Sequence, residues 1–129
     1  MKSRIIFITS GVLILTLAAL TLRPVYIPDD PAECLVAKGK VAHIFEGGPQ
    51  DINIRLEGDP TMYYINRGMN YGLEMDSLKE LLIGNHVTIR YPKHWTLLDP
   101  NGTVKHLSIL EFNGKELFNE IEIIKSKKS

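Results

Sequence analysis

SLKELLIGNHVTIRY, residues Ser77 to Tyr91, passes from helical to strand periodicity at Gly84-Asn85, and the fold turns on that switch. Ser77 with Glu80 has the spacing of a capping box, and Leu78, Leu81 and Leu82 fall on one helical face. So short a helix cannot stand alone in water, so its leucines must pack on a sheet. After the stop, Val87, Ile89 and Tyr91 alternate with Thr88 and Arg90, the period of a strand with one buried face. Pro92 ends regular pairing there.

Upstream, DINIRLEG from Asp51 to Gly58 alternates Ile52, Ile54 and Leu56 with Asn53 and Arg55, the cleanest strand pattern in the chain. Before it, Leu35 to Phe45 predicts a long first strand in which Gly39 permits a bend, and Glu46 to Gln50 predicts the intervening turn. Gly58-Asp59-Pro60 closes the second strand, and Met62 to Asn66 predicts a returning third. Downstream, Trp95 to Leu98 and Thr103 to Phe112 predict two strands joined by a turn over Asp99 to Gly102. Asn113-Gly114 is the strongest hairpin signal. From Leu117 to Lys125 the apolar positions fit either a helical face or an interrupted strand.

Three strands, a short helix, then further strands is an order that resembles the oligonucleotide/oligosaccharide-binding (OB-type) barrel superfamily. The resemblance runs over Leu35 to Phe118, with Gly39 in a long first strand and the motif LKELLIGNHVTIRY as its marks. It implies a mainly β domain with one short helix, a small antiparallel barrel plugged at one end by that helix, and binding along the second and third strands. An SH3-like or other small barrel is the alternative. Neither architecture specifies an activity.

In front of this domain, Ile5 to Leu22 carries no charged residue, which is close to the length needed to cross a bilayer core as a helix. Lys2 and Arg4 precede it, so the amino terminus is expected in the cytoplasm and the domain outside it. A retained single-pass anchor over residues 1–22 is the leading expectation. The alternative is secretion after cleavage, for which Thr16-Leu17-Ala18 before Ala19 is the best and a poor site. Residues 23–33, with Pro24, Pro28, Pro31 and three acidic side chains, are expected to form an extended linker. The barrel is then placed at 34–125, followed by a basic tail at 126–129.

The 129 residues hold 15 Lys plus Arg and 15 Asp plus Glu, so no basic excess points to nucleic acid, and export argues against it further. A single cysteine, Cys34, excludes an internal disulfide and is expected as a small buried thiol. His43, His86, His94 and His106 lack metal-ligand spacing, although His106 could form a cross-strand pair with His86 or His94. Ser77 is expected to be spent as a helix cap, and Glu74, Asp76 and Glu80 to serve the helix dipole rather than paired-carboxylate catalysis. No catalytic residue, metal site or cofactor is expected.

Binding candidates are aromatic and mixed with polar groups: Tyr64, Arg67, Tyr71, His94 and Trp95. Such side chains stack on sugars, bases or peptide groups, while the bland alternative puts the same aromatics in the core or over a barrel end. The expectation is a non-enzymatic, membrane-tethered extracytoplasmic module contacting an envelope protein. Alternatives are binding of cell-wall glycan or a small molecule through Tyr64, Tyr71 and Trp95, and then an unrecognised hydrolase or metal protein.

Overall fold

The structure, a computed structural model, describes residues 2–128. They divide into two compact units. One holds the residues up to Pro24 together with Trp95–Gly102, and the other holds Val25–His94 with the residues from Thr103 onward.

The first unit is built on helix α1, Lys2–Thr21, which is long and apolar enough to cross a membrane and buries none of its side chains. Its threonine hydroxyls turn inward to its own backbone: Thr9 donates to the carbonyl of Ile5, Thr16 to Val12 and Thr21 to Leu17. In an apolar medium that local bond removes the cost of an unpaired hydroxyl. Trp95–Gly102 is the other part of this unit: the expected turn over Asp99 to Gly102 forms, closed by the Gly102 amide on the Asp99 carbonyl, but Trp95 to Leu98 is loop rather than the expected strand. The Thr96 hydroxyl donates to the carbonyls of Leu20 and Thr21, and the Leu97 amide donates to Leu20. The last turn of α1 thus satisfies its orphan carbonyls with this loop, which overrides the weak strand propensity of Trp95 to Leu98.

The second unit is a mixed seven-stranded sheet with two helices. Its strands are β1 (Leu35–Glu46), β2 (Ile52–Leu56), β3 (Met62–Ile65), β4 (His86–Tyr91), β5 (Val104–His106), β6 (Ile109–Phe112) and β7 (Lys115–Asn119). Helix α2, Met75–Leu82, lies between β3 and β4 in the chain, and α3, Glu120–Lys128, follows β7. The strand order is β5-β3-β2-β1-β4-β6-β7. Two expectations are corrected here. The sheet is not wholly antiparallel, because β5 runs parallel to β3, and it is open, with β5 and β7 at its edges. Residues 103–112 also form two strands rather than one, since the chain changes partner at Leu107-Ser108: the Leu107 amide bonds to Tyr64 and the Ser108 amide to Arg90.

The long first strand changes partner as well. Leu35 to Lys40 pairs with β4 and Val41 to Glu46 pairs with β2, with a register shift between Val41 and His43. Gly39 sits at this crossing, where an added Cβ would lie 3.2 Å from Leu56 Cδ1. The exit of α2 locks the crossing: Val41 bonds through its amide to the Asn85 carbonyl and through its carbonyl to the Gly84 amide. Gly84, at φ 84°, supplies the left-handed stop.

Alternation works as read in β2, where Ile52, Ile54 and Leu56 are buried, and in β4, where Val87 and Ile89 are. Leu78 and Leu82 of α2 join this core, each worth about 1.5–3 kcal/mol as a buried side chain. The helix itself begins earlier than its capping box predicts. Glu74 occupies the cap position without a side-chain bond, and Ser77 is an exposed residue inside the first turn. Packing of Met75 against the core accounts for the early start.

Beside the expected anchor helix α1, the single short helix expected in the β domain becomes two, α2 and α3, and the segment after Leu117 resolves into both alternatives, strand to Asn119 and then helix. The Asn119 side chain accepts from the Glu122 amide at 3.1 Å and so caps α3. The Asn113-Gly114 hairpin forms with positive φ at both residues, 52° and 74°, as a two-residue turn of this hand requires. Part of the expected linker is folded: Pro31–Glu33 makes a 3-10 turn capped by Asp30, Pro28 is buried, and Ile27 packs against Cys34, Ile109 and Ile121.

Candidate binding face

Because Ile52, Ile54 and Leu56 point to the core, Asn53 and Arg55 take the opposite face of the sheet. Strand register extends that face sideways. Phe45, Asn53, Tyr64 and His106 form one cross-strand row, and His43, Arg55, Met62 and Val104 form the next. Within these rows Phe45 and Val104 are exposed, Tyr64 is half-buried, and Asn53 and His106 are buried. An open cleft of about 320 Å³ lies on this face, lined by Gly47, Asp51, Asn53, Met62, Tyr64 and Val104 among others.

The cleft has a built floor. A Cβ on Gly47 would fall 1.8 Å from Asn53 Nδ2, so only glycine lets the turn close over the Asn53 amide. The Tyr64 ring meets the His106 imidazole edge-on, with centroids 5.3 Å apart. Burial, then the negative charges of Asp51 and Glu120, push the Tyr64 phenol above its ordinary value of 10.0. It therefore stays a neutral hydrogen-bonding group at physiological pH.

Behind Tyr64 lies a buried polar cluster. His106 Nε2 is 2.6 Å from Glu120 Oε2, and the Ser108 hydroxyl donates to the same oxygen at 3.1 Å. The Glu120 amide bonds to the Ser108 carbonyl, which pins the start of α3 to the link between β5 and β6. Serine, histidine and glutamate here do not make a nucleophile and base. Both Ser108 and His106 address the carboxylate, and Ser108 is fully buried. The cluster is a polar staple. His106 thus takes Glu120 and Tyr64 as partners rather than His86 or His94.

Of the residues expected to bind, Tyr64 lies in the cleft and Arg67 beside it. The Arg67 backbone is left-handed, φ 51°, and its amide donates to Asp51 Oδ1 at 2.7 Å, so the exposed Arg67 side chain starts at the cleft lip. Tyr71 is placed elsewhere, its ring 5.6 Å from Phe118 and 5.8 Å below Lys127 Nζ. His94 is half-buried beyond β4, at the end of a chain segment of the β unit. Trp95 belongs to the helix unit, where its Nε1 donates to the Pro100 carbonyl at 3.3 Å. Asn53, Met62 and His106 were not among the candidates. Asn53 and Met62 were findable by extending the alternation of the second strand to its neighbour, whereas the parity of His106 is hidden by the break at Leu107-Ser108.

Among the described residues, no group of three or more His, Cys, Asp and Glu side chains is arranged to hold a metal ion. Cys34 is buried and unpaired with another sulfur, and burial pushes its thiol above the ordinary value of 9.0, opposed in part by the positive charge of Arg90. No protein-family model, curated protein or solved structure matches the chain.

Proposed function

We propose that this chain is a non-enzymatic binding or assembly module, held to a membrane by α1, whose β domain faces the extracytoplasmic side and engages a protein partner through the Tyr64 face. The observation that carries this reading is the open cleft over Asn53 and Tyr64, bordered by the exposed apolar residues Phe45 and Val104. An open, mixed apolar and polar sheet face suits a polypeptide surface better than an enclosed small molecule. A glycan platform built from Tyr64, Tyr71 and Trp95 has less support, since these three aromatics take unrelated partners.

Within this reading the open sheet is OB-like, with β5 and β6 as the two halves of one strand that bonds β3 through Leu107 and β4 through Ser108. Binding on the outer surface of β2 and β3 accords with that architecture. Retention of α1 is favoured over cleavage because a cut before Ala19 would leave Leu20 and Thr21 without the helix that orients their carbonyls toward Thr96 and Leu97. Formal neutrality and an extracytoplasmic position both weigh against nucleic acid.

A photo-crosslinking amino acid placed at Tyr64, and separately at Lys79 on α2, tests the binding face in intact cells. The proposal expects a discrete protein adduct from position 64 that is absent from position 79. Equal or no adduct formation at the two positions would contradict it.

A further inference from the structure

The loop Trp95–Gly102 between β4 and β5 presents Trp95, Leu97 and Leu98 to the outside, at 43%, 41% and 72% exposure. Such a run of large apolar side chains is costly to leave in water. It is also rigidly built: Trp95 Nε1 bonds to the Pro100 carbonyl, the Asp99 amide to Thr96 and the Gly102 amide to Asp99. What sets this loop apart is its attachment to the end of α1, through the Thr96 hydroxyl and the Leu97 amide.

From this attachment we infer a second membrane contact: the Trp95–Leu98 loop seats its apolar side chains in the headgroup and upper acyl region of the bilayer that α1 crosses. The inference rests on the tether reading and adds a depth to it. Helix α1 has 20 residues, and at about 1.5 Å per residue that length matches the hydrocarbon thickness of a bilayer. Leu20 and Thr21 therefore stand at the level where the chain leaves the apolar core. A loop bonded to their carbonyls is held at that same level, where indole rings are favoured because an apolar ring and a polar N–H both find suitable surroundings. The hydrogen bonds serve a further purpose there. Carbonyls at the end of a spanning helix meet less water than on a soluble protein, so Thr96 and Leu97 supply donors that the medium lacks.

Trp95 is the only tryptophan, so its fluorescence reports this loop alone. The full chain is reconstituted in phosphatidylcholine vesicles and floated on a density gradient, and the emission of the floated fraction is recorded with quenchers attached at shallow or deep acyl positions, and with aqueous iodide. The expected result is blue-shifted emission, stronger quenching by the shallow than the deep lipid label, and weak quenching by iodide. Leu97→Glu with Leu98→Glu should shift the emission toward the red while the chain still floats. Flotation with water-like emission and strong iodide quenching would overturn the loop contact and leave the tether standing. Protection from both lipid label and iodide would overturn it in favour of a covering protein surface. Failure to float would overturn the tether and the loop contact together.

Discussion

The His106 imidazole lies 2.6 Å from the Glu120 carboxylate, which joins the edge strand β5 to the first residue of α3 across a buried interval. Glu120 also accepts from Ser108, so a single oxygen holds two partners from the chain segment that changes sheet neighbours. Tyr64 packs against the same histidine, which makes this staple the support of the cleft.

Removing the carboxylate should therefore be costly. Glu120→Ala leaves His106 and Ser108 with an empty acceptor site and is expected to lower stability by about 2–3 kcal/mol, while Glu120→Gln, which keeps an oxygen in place, should cost about half of that. Urea denaturation of the full chain in detergent micelles, followed by circular dichroism, measures both. Equal stability of the alanine variant and wild type would show that the staple is dispensable.

Helix capping gives a paired comparison. Asn119→Ala should cost about 1 kcal/mol, because it removes the acceptor for the Glu122 amide. Ser77→Ala should change stability by less than about 0.5 kcal/mol, because Ser77 is exposed and makes no cap. The same denaturation assay separates them, and a larger loss at Ser77 would reverse the assignment.

These two sites also explain what was legible in the sequence. The alternation of Ile52, Ile54 and Leu56, the switch at Gly84-Asn85 and the Asn113-Gly114 turn are local signals, and local geometry honoured them. The pattern Ser77 to Glu80 is equally local but lost to the packing of Met75, whereas Asn119 with Glu122 carried the working cap inside a stretch whose apolar spacing was ambiguous. Two further features depended on partners far away in the chain. Trp95 to Leu98 reads as strand until Leu20 and Thr21 are seen to accept its hydrogen bonds, and the partner of His106 is Glu120 rather than the His86 or His94 that strand position suggests. Tyr64 and Arg67 come near each other because both stand close to Asp51, which lines the cleft and accepts from the Arg67 amide.

Alkaline pH offers a different probe. Burial pushes the Tyr63 phenol above its ordinary value of 10.0, and its hydrogen bond to Asp59 Oδ2, at 2.8 Å, raises it further. As pH climbs, the unfolded chain loses this proton before the folded one does, so stability is full below pH 10.0 and falls as pH rises through the folded value. Tyr64 and Cys34 are raised as well and act in the same direction. Tyr63→Phe should lose about 1 kcal/mol near neutrality and show a shallower decline above pH 10.0, as read from thermal midpoints across alkaline buffers. An unchanged slope would exclude Tyr63 as a source of the decline.

Gly68 tests the packing under the Asn66 to Glu74 loop. A Cβ there would lie 2.9 Å from both Ile52 Cδ1 and Ile65 Cγ2, two fully buried side chains. Gly68→Ala should destabilise by about 1–3 kcal/mol through overpacking. A smaller loss in the double variant Gly68→Ala with Ile52→Val would identify steric crowding as the cause.

Attachment to the bilayer through α1 is the claim on which the proposed role depends most. Carbonate extraction of membranes from cells making the full chain, followed by mass analysis of the pellet, addresses it in one measurement. The chain should stay with the bilayer at the full mass of 14.6 kDa. Release into the supernatant, or recovery only of a shorter chain lacking α1, would contradict the tether.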